Sequence, residues 1–341
     1  MKRYSALWII LLLSCLGCPP QTIVQGIITF AERFKTFGRG LGVPFPATKI
    51  FFATAVDQGQ GFGSIATIDL DGTNFKNIVG GSAGNIGFPD GLALDQVYNT
   101  IYWTDRRTNE LRQASLDGKT VTVLVSKLNA PTGVALDIQN NLVFWLERGA
   151  GTLKYADMRD GSNVTQVVAG LSEPEDIALA LANRVRKTNG YVTTDEYDAF
   201  WTESGAHAVK RGHLVVTVKN NVVATVAVQN PAVIATEGGS DEPRGLAVDE
   251  TKGQVYWNTQ NYLRRANFDG TNRVTIASVF YLNHIALDLT NGKVYYTRKR
   301  SDQIVDIDGK VYRMNLDGTG DGTVAGNLPP LLPVALGNPA P

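Results

Sequence analysis

Seven side chains of this sequence have the types and spacing to act together: Asp90, Thr132, Glu175, Asp176, Arg244, Asn283 and His284. Each stands at or one step inside the start of a short apolar phrase that recurs along the chain. Three carboxylates and an amide are hard oxygen donors of the kind that hold calcium. A histidine beside them would supply a base that titrates near neutrality. That combination describes a calcium-assisted hydrolytic centre. Arg244 interrupts the donor set, and Leu332 fills the corresponding place in a sixth, worn copy of the phrase. The alternative is a hydrated polar cap that recognises a partner without chemistry. We expect the second, with no catalytic residue and no metal; calcium is the one cofactor this set would suit.

These residues meet only if the phrase that carries them is repeated around an axis. Its copies are Pro89 to Asp95, Pro131 to Asp137, Pro174 to Ala180, Pro243 to Asp249, Leu282 to Asp288 and the worn Leu332 to Gly337. An aromatic pair follows in step: Phe51-Phe52, Tyr102-Trp103, Phe144-Trp145, Phe200-Trp201, Tyr256-Trp257 and Tyr295-Tyr296. Outside the leader every tryptophan (Trp103, Trp145, Trp201, Trp257) holds the second place of such a pair. A third phrase ends on Asp-Gly at 71–72, 117–118, 160–161, 269–270 and 317–318, and the fourth unit lacks it. A repeat of roughly 40 to 50 residues is a solenoid or a propeller.

Strand chemistry selects the propeller. Each unit holds three or four short β-rich runs bounded by turn residues, and none has a 3.6-residue apolar period. Asp-Gly supplies the positive φ of a tight hairpin and is expected between the third and fourth strands. The Gly-Leu-Ala-Leu-Asp phrase, apolar with small residues, suits the innermost strand. The aromatic phrase is then the second strand, its rings filling the wedge between blades. The fold predicted is all-β, a six-bladed β-propeller of four-stranded antiparallel blades over residues 49–338. Because the first unit starts on its aromatic strand and the last phrase is an inner strand, a C-terminal strand is expected to close the first blade and remove two sheet edges.

One copy reads Tyr102-Trp103-Thr104-Asp105. With the other phrases in register it resembles the low-density-lipoprotein-receptor class B, or YWTD, repeat. That resemblance implies a six-bladed propeller and a scaffold role for the motif residues. In receptors of this kind the propeller face holds protein ligands beside cysteine-rich modules; here no cysteine follows the leader, so those modules are not expected. Six-bladed lactonases and phosphotriesterases hold calcium with carboxylates and amides, which is the enzyme alternative. The largest departure from the repeat is the insert 183–198, with Arg184, Arg186 and Lys187 followed by Asp195, Glu196 and Asp198, read as a charged, solvated loop.

Residues 1–18 carry a different signal: Lys2-Arg3, then an apolar run from Leu7 to Leu13, then the chain's two cysteines, Cys15 and Cys18. The run is too short to cross a membrane as a helix and reads as a lipoprotein-type signal peptide. Cys15, with Leu12 three residues before it, is the expected acylation site, and Cys18 the alternative. Residues 19–48 are expected to be a tether with some helical tendency, a short amphipathic helix being the alternative. With 32 basic and 32 acidic residues and a pI near 6.8, nothing points to nucleic acid. The expectation is an extracytoplasmic lipoprotein of the outer membrane or cell surface, touching the membrane through its anchor and binding a protein, peptide or glycan.

Overall fold

The computed structural model describes residues 47–54, 63–80, 86–298, 309–328 and 331–337. The leader with Cys15 and Cys18, and the tether as far as residue 46, lie outside the described residues.

Each of the first five apolar phrases pairs antiparallel with the aromatic phrase that follows it, the sixth pairs with the first aromatic phrase, and two further strands complete each sheet. Blade 1 contains β1 (Lys49–Thr54), β2 (Ser64–Asp69) and β3 (Lys76–Gly80). Blade 2 is β4 (Pro89–Asp95), β5 (Thr100–Asp105), β6 (Glu110–Ser115) and β7 (Val121–Val125). Blade 3 is β8 (Pro131–Asp137), β9 (Leu142–Glu147), β10 (Thr152–Asp157) and β11 (Thr165–Val168). Blade 4 is β12 (Pro174–Asn189), β13 (Val192–Glu203), β14 (Ala208–Lys219) and β15 (Val222–Thr236). Blade 5 is β16 (Leu246–Asp249), β17 (Gln254–Asn258), β18 (Tyr262–Asn267) and β19 (Val274–Ser278). Blade 6 is β20 (Leu282–Asp288), β21 (Lys293–Arg298), β22 (Gly309–Asn315) and β23 (Gly322–Leu328). The last strand, β24 (Leu331–Gly337), pairs with β1 from Lys49↔Gly337 to Thr54↔Leu331 and becomes the inner strand of blade 1. The ring closes where the order of phrases requires, and no helix occurs among the described residues.

The aromatic pairs occupy the wedges by a simple rule. The first ring of each pair faces the next blade and the second faces the preceding one, because adjacent residues on a strand point to opposite faces. Thus Trp103 packs with Phe51 and Ile65 of blade 1, while Tyr102 packs with Val143 and Trp145 of blade 3. The same alternation runs through Phe144 and Trp201, then Phe200 and Trp257, Tyr256 and Tyr296, and Tyr295 and Phe52. All twelve rings are buried, and burying each is worth about 2–3 kcal/mol against leaving it in water.

The Asp-Gly turns make the outer contact between blades. Gly72, Gly118, Gly161, Gly270 and Gly318 have φ of 72° to 88°. A Cβ on any of them would sit 2.0 to 2.4 Å from a carbonyl oxygen of the preceding blade's outermost strand. Blade 4 replaces this turn with Asn220 and Asn221, both at positive φ.

Blade 4 also corrects the reading of the insert. Residues 183–198 form no loop: β12 and β13 stay paired from Val185↔Glu196 to Asn189↔Val192. In four other blades the phrase ends on a buried aspartate that accepts main-chain N–H groups and turns the chain, as Asp95 does from Val97 and Tyr98 at 2.8 and 3.1 Å. Blade 4 has Ala180 there, so no cap forms and the strands run on. The charges expected in solvent are paired instead: Arg184 and Arg186 both bind the buried Asp195.

Three tryptophan indoles donate to a buried glutamate: Trp145 to Glu147 at 3.1 Å, Trp201 to Glu203 at 2.8 Å and Trp257 to Glu237 at 2.6 Å. In the motif-perfect blade 2 the acid is Asp105, one methylene shorter. It caps Gly87, Phe88, Arg107 and Thr108, and the Trp103 Nε1 has no partner among the described residues. Replacing Glu203 with Ala strands the Trp201 Nε1 and the Ser172 N–H that it also accepts. Urea unfolding of this variant should show a loss of about 1–3 kcal/mol; a loss below about 0.5 kcal/mol would mean the indole bond adds nothing.

Candidate functional site

The inner strands begin at one mouth of the axial channel, so the variable residue at each start is presented there. Asp90 on β4, Glu175 and Asp176 on β12, Asn283 and His284 on β20, and Arg244 just before β16 line one cavity of about 180 Å³. Arg106, Arg148, Gly245 and Pro333 complete the wall. Six of the seven residues singled out in the sequence therefore meet.

Thr132 does not reach the cavity. It is fully buried, donates to the Pro174 carbonyl at 3.0 Å and lends its own carbonyl to the Thr104 hydroxyl. Thr202 likewise donates to the Arg244 carbonyl, and the Asn258 amide to that of Leu282. The third residue of the aromatic phrase thus ties its blade to the next, and Thr132 belongs to that chain of links rather than to the mouth.

One step further in, the repeat places Gly91, Gly133 and Gly245 against the axis. A Cβ on Gly133 would stand 2.6 Å from the Asp176 Cα, and one on Gly245 would stand 2.9 Å from the His284 Cα. Where the repeat has Asp176 and His284 instead of Gly, their side chains fill the axis and meet, His284 Nε2 lying 3.1 Å from Asp176 Oδ2. The same carboxylate accepts the Leu246 N–H at 2.8 Å and, through Oδ1, the Ile177 N–H at 2.9 Å. Asp176 therefore joins blades 4, 5 and 6 at the channel floor.

Each remaining carboxylate has its own guanidinium. Arg106 lies 3.1 Å from Asp90, and Arg148 bridges Glu175 and Glu173. Ser204 donates to Glu175 at 3.0 Å. Arg244 pairs with Glu242 at 3.3 Å, and its buried Nε has no partner among the described residues. The two arginines and Ser204 directly follow the fourth residue of the aromatic phrase in blades 2, 3 and 4. The signal was present at a constant offset, but just past the end of the second strand rather than at the start of the inner one.

Calcium does not fit this donor set. Asp90, Glu175 and Asp176 face Arg106, Arg148 and His284, and among the described residues no three His, Cys, Asp or Glu side chains are grouped to hold an ion.

Burial and the nearby Asp90 charge push Glu175 up to about 7, against the pull of Arg148 and the Ser204 bond. His284 loses basicity to burial, but the Asp176 carboxylate outweighs this and holds it above its ordinary value. Both shifts have the same sign: the folded protein binds these protons more tightly than the unfolded chain does. The stability they supply is fully present below the unfolded values and is lost as pH rises through the folded ones. Between pH 5 and pH 8 the melting temperature of the wild type should fall, and Glu175→Gln should reduce that fall. An identical pH profile in the variant would show that Glu175 does not titrate there.

A closed ring of six antiparallel four-stranded blades with a polar axial mouth is a six-bladed β-propeller. Residues 99–138 match the family model for the low-density lipoprotein receptor repeat class B, so the last three strands of blade 2 and the inner strand of blade 3 carry the repeat in its recognisable form. A human low-density lipoprotein receptor-related protein 5-like protein is 28% identical over 151 residues, which cover 42% of this chain and 50% of that protein. The match therefore spans about half the length of that relative. Among solved structures, a chain of the nidogen/laminin complex superposes with a TM-score of 0.63 at 19% identity, over 84% of this chain and 97% of that one. TolB from Acinetobacter baumannii follows at 0.56 and 11%, over 86% and 68%. A streptogramin B lyase gives 0.51 and 13%, over 84% and 85%. At these identities the superpositions establish the fold alone.

Proposed function

We propose that this chain is a non-catalytic binding propeller, held at an extracytoplasmic membrane surface by an acylated N-terminal cysteine, and that it recognises a protein, peptide or glycan at the axial mouth. The observation that carries the reading is that each carboxylate lining the mouth lies against a basic group. Every carboxylate has a basic partner, so no free carboxylate is left to bind an ion. His284 is committed to Asp176, and the Ser204 hydroxyl lies against the Glu173 main-chain carbonyl and the Glu175 carboxylate. Guanidinium groups with spare N–H donors are suited to gripping carbonyl, carboxylate or hydroxyl oxygens. The superposition on a nidogen/laminin complex adds support, since a propeller of this form occurs there in a complex between proteins.

Capture from the native envelope tests the mouth. A partner retained by the wild type should be lost with Arg244→Glu and kept with Lys119→Glu, which reverses a charge that is 83% exposed on an outer turn. Equal retention by both variants would rule out the mouth, and calcium-dependent hydrolysis of a lactone or phosphotriester would replace binding with catalysis.

The anchor rests on the leader sequence. Partitioning into the detergent phase should be lost in Cys15→Ser. Partitioning lost only in Cys18→Ser would move the acyl chain to Cys18, and partitioning unaffected by either would remove it.

A further inference from the structure

Neighbouring strands of a blade alternate in direction, so an inner strand that begins at the mouth ends on the opposite face. The turns joining first to second and third to fourth strands therefore lie on that far face. So does the start of β1, because Lys49 pairs with Gly337 at the end of the inner strand β24. The chain enters the ring on the side away from the mouth.

Blade 4 projects from that same side. Blade 2 turns at the level of Asp95↔Thr100, the end of its apolar phrase. In blade 4 the equivalent level is Ala180↔Asp198, and β13 reaches beyond it to Val192, about 20 Å farther at about 3.4 Å per residue. The strands β14 and β15 extend with it as far as Lys219↔Val222. The Asn220 N–H donates to the Tyr191 carbonyl at 3.0 Å, so the two hairpin turns form one tip.

The chemistry of this tip differs from that of the turns it rises above. Each Asp-Gly turn on this face presents an aspartate. The tip has none: no carboxylate occurs from Lys187 to Thr194 or from Val215 to Thr236. It carries instead Lys187 and Lys219, both exposed, and side by side at its end Tyr191 and Val222, 85% and 67% exposed. The chain as a whole has no net charge, so the basic excess is local. A tyrosine has an apolar ring and a polar end, the combination that settles at a lipid–water boundary. Lysines beside it can lay their stems on the apolar boundary and hold their ammonium groups against lipid phosphate.

We propose that the tip of blade 4 is a membrane-docking element, with Tyr191 and Val222 seated in the interfacial layer and Lys187 and Lys219 on anionic headgroups. The inference rests on the anchored reading above. Position and charge together select lipid as the occupant: the tip is basic, and it projects from the face by which the anchored segment joins the ring. Two apolar side chains bind a bilayer weakly on their own, but a protein already held there by an acyl chain presents them at high effective concentration. Docking at the tip turns the axial mouth away from the bilayer, toward its ligand.

The test uses the full-length acylated protein in vesicles of phosphatidylethanolamine and phosphatidylglycerol, with brominated phosphatidylcholine to quench indoles that touch the bilayer. The tryptophans of the ring are buried between blades, and wild-type emission sets the baseline. Tyr191→Trp should add emission that the brominated lipid removes. Phe280→Trp, at a position 68% exposed on the mouth side, should add emission that the lipid leaves unchanged. Lys187→Glu with Lys219→Glu should restore the emission of Tyr191→Trp by setting two carboxylates against lipid phosphate, while unchanged emission from the buried ring shows that the variant folds. The proposal is overturned if the protein floats with the vesicles and Tyr191→Trp is not quenched, if Phe280→Trp is quenched as strongly, or if the double charge reversal leaves the quenching intact. Failure to float would overturn the anchor and the docking tip with it, an outcome distinct from flotation without quenching, which overturns the tip alone.

Discussion

The structure depends on the wedge of space between two twisted blades, which narrows toward the axis and has to be filled without voids. Large flat rings fill it at mid-radius, one from each neighbouring blade. Because the two aromatics of a phrase point to opposite faces of one strand, each phrase serves two wedges, and six phrases fill six. The ring is therefore cooperative by construction: Trp103 and Tyr102 cannot both be buried unless blades 1 and 3 are in place. At the axis the wedge closes to the point that Gly91, Gly133 and Gly245 have no room for a Cβ. At the rim the Asp-Gly turns lie so close to the neighbouring blade that only glycine fits.

Function then occupies what packing leaves free. The rings, the linking threonines and the capping aspartates are all spoken for, and they are the residues that recur. The mouth is built from positions that change from blade to blade, where no wedge has to be filled. Arg148, Glu175 and Ser204 converge there from blades 3 and 4, and Asp176 and His284 from blades 4 and 6. The result is a cluster of paired, largely buried charges at the axial mouth, with Asp176 and His284 meeting beneath them.

Blade 4 shows what happens when one repeated residue is lost. With Ala180 in place of the turn-forming aspartate, the hairpin continues past the ring and brings Arg184 and Arg186 onto the buried Asp195. The sheet that results has Arg186 and Lys187 along one edge and no charged residue along the other.

Much of this was legible in the chain. The six aromatic pairs gave the number of blades, the order of phrases gave the closing seam, and the residues preceding each apolar phrase marked most of the mouth. These follow from periodicity, because a repeated constraint leaves a repeated residue. Tertiary structure alone decided the rest. Thr132 looked equivalent to Asp90 by position, but its short hydroxyl reaches the Pro174 carbonyl before it reaches solvent. Arg106 and Arg148 entered the mouth from just past the second strand, where their offset in sequence carries no mark of direction. The insert 183–198 became strand because pairing along β13 and β14 satisfies its backbone, and its polar groups found distant partners, as Arg184 and the Tyr197 hydroxyl do at Asp137. Sequence by itself determined which residues must be buried between blades; only the closed ring decided which of the others face one another, since those contacts join residues with no shared period.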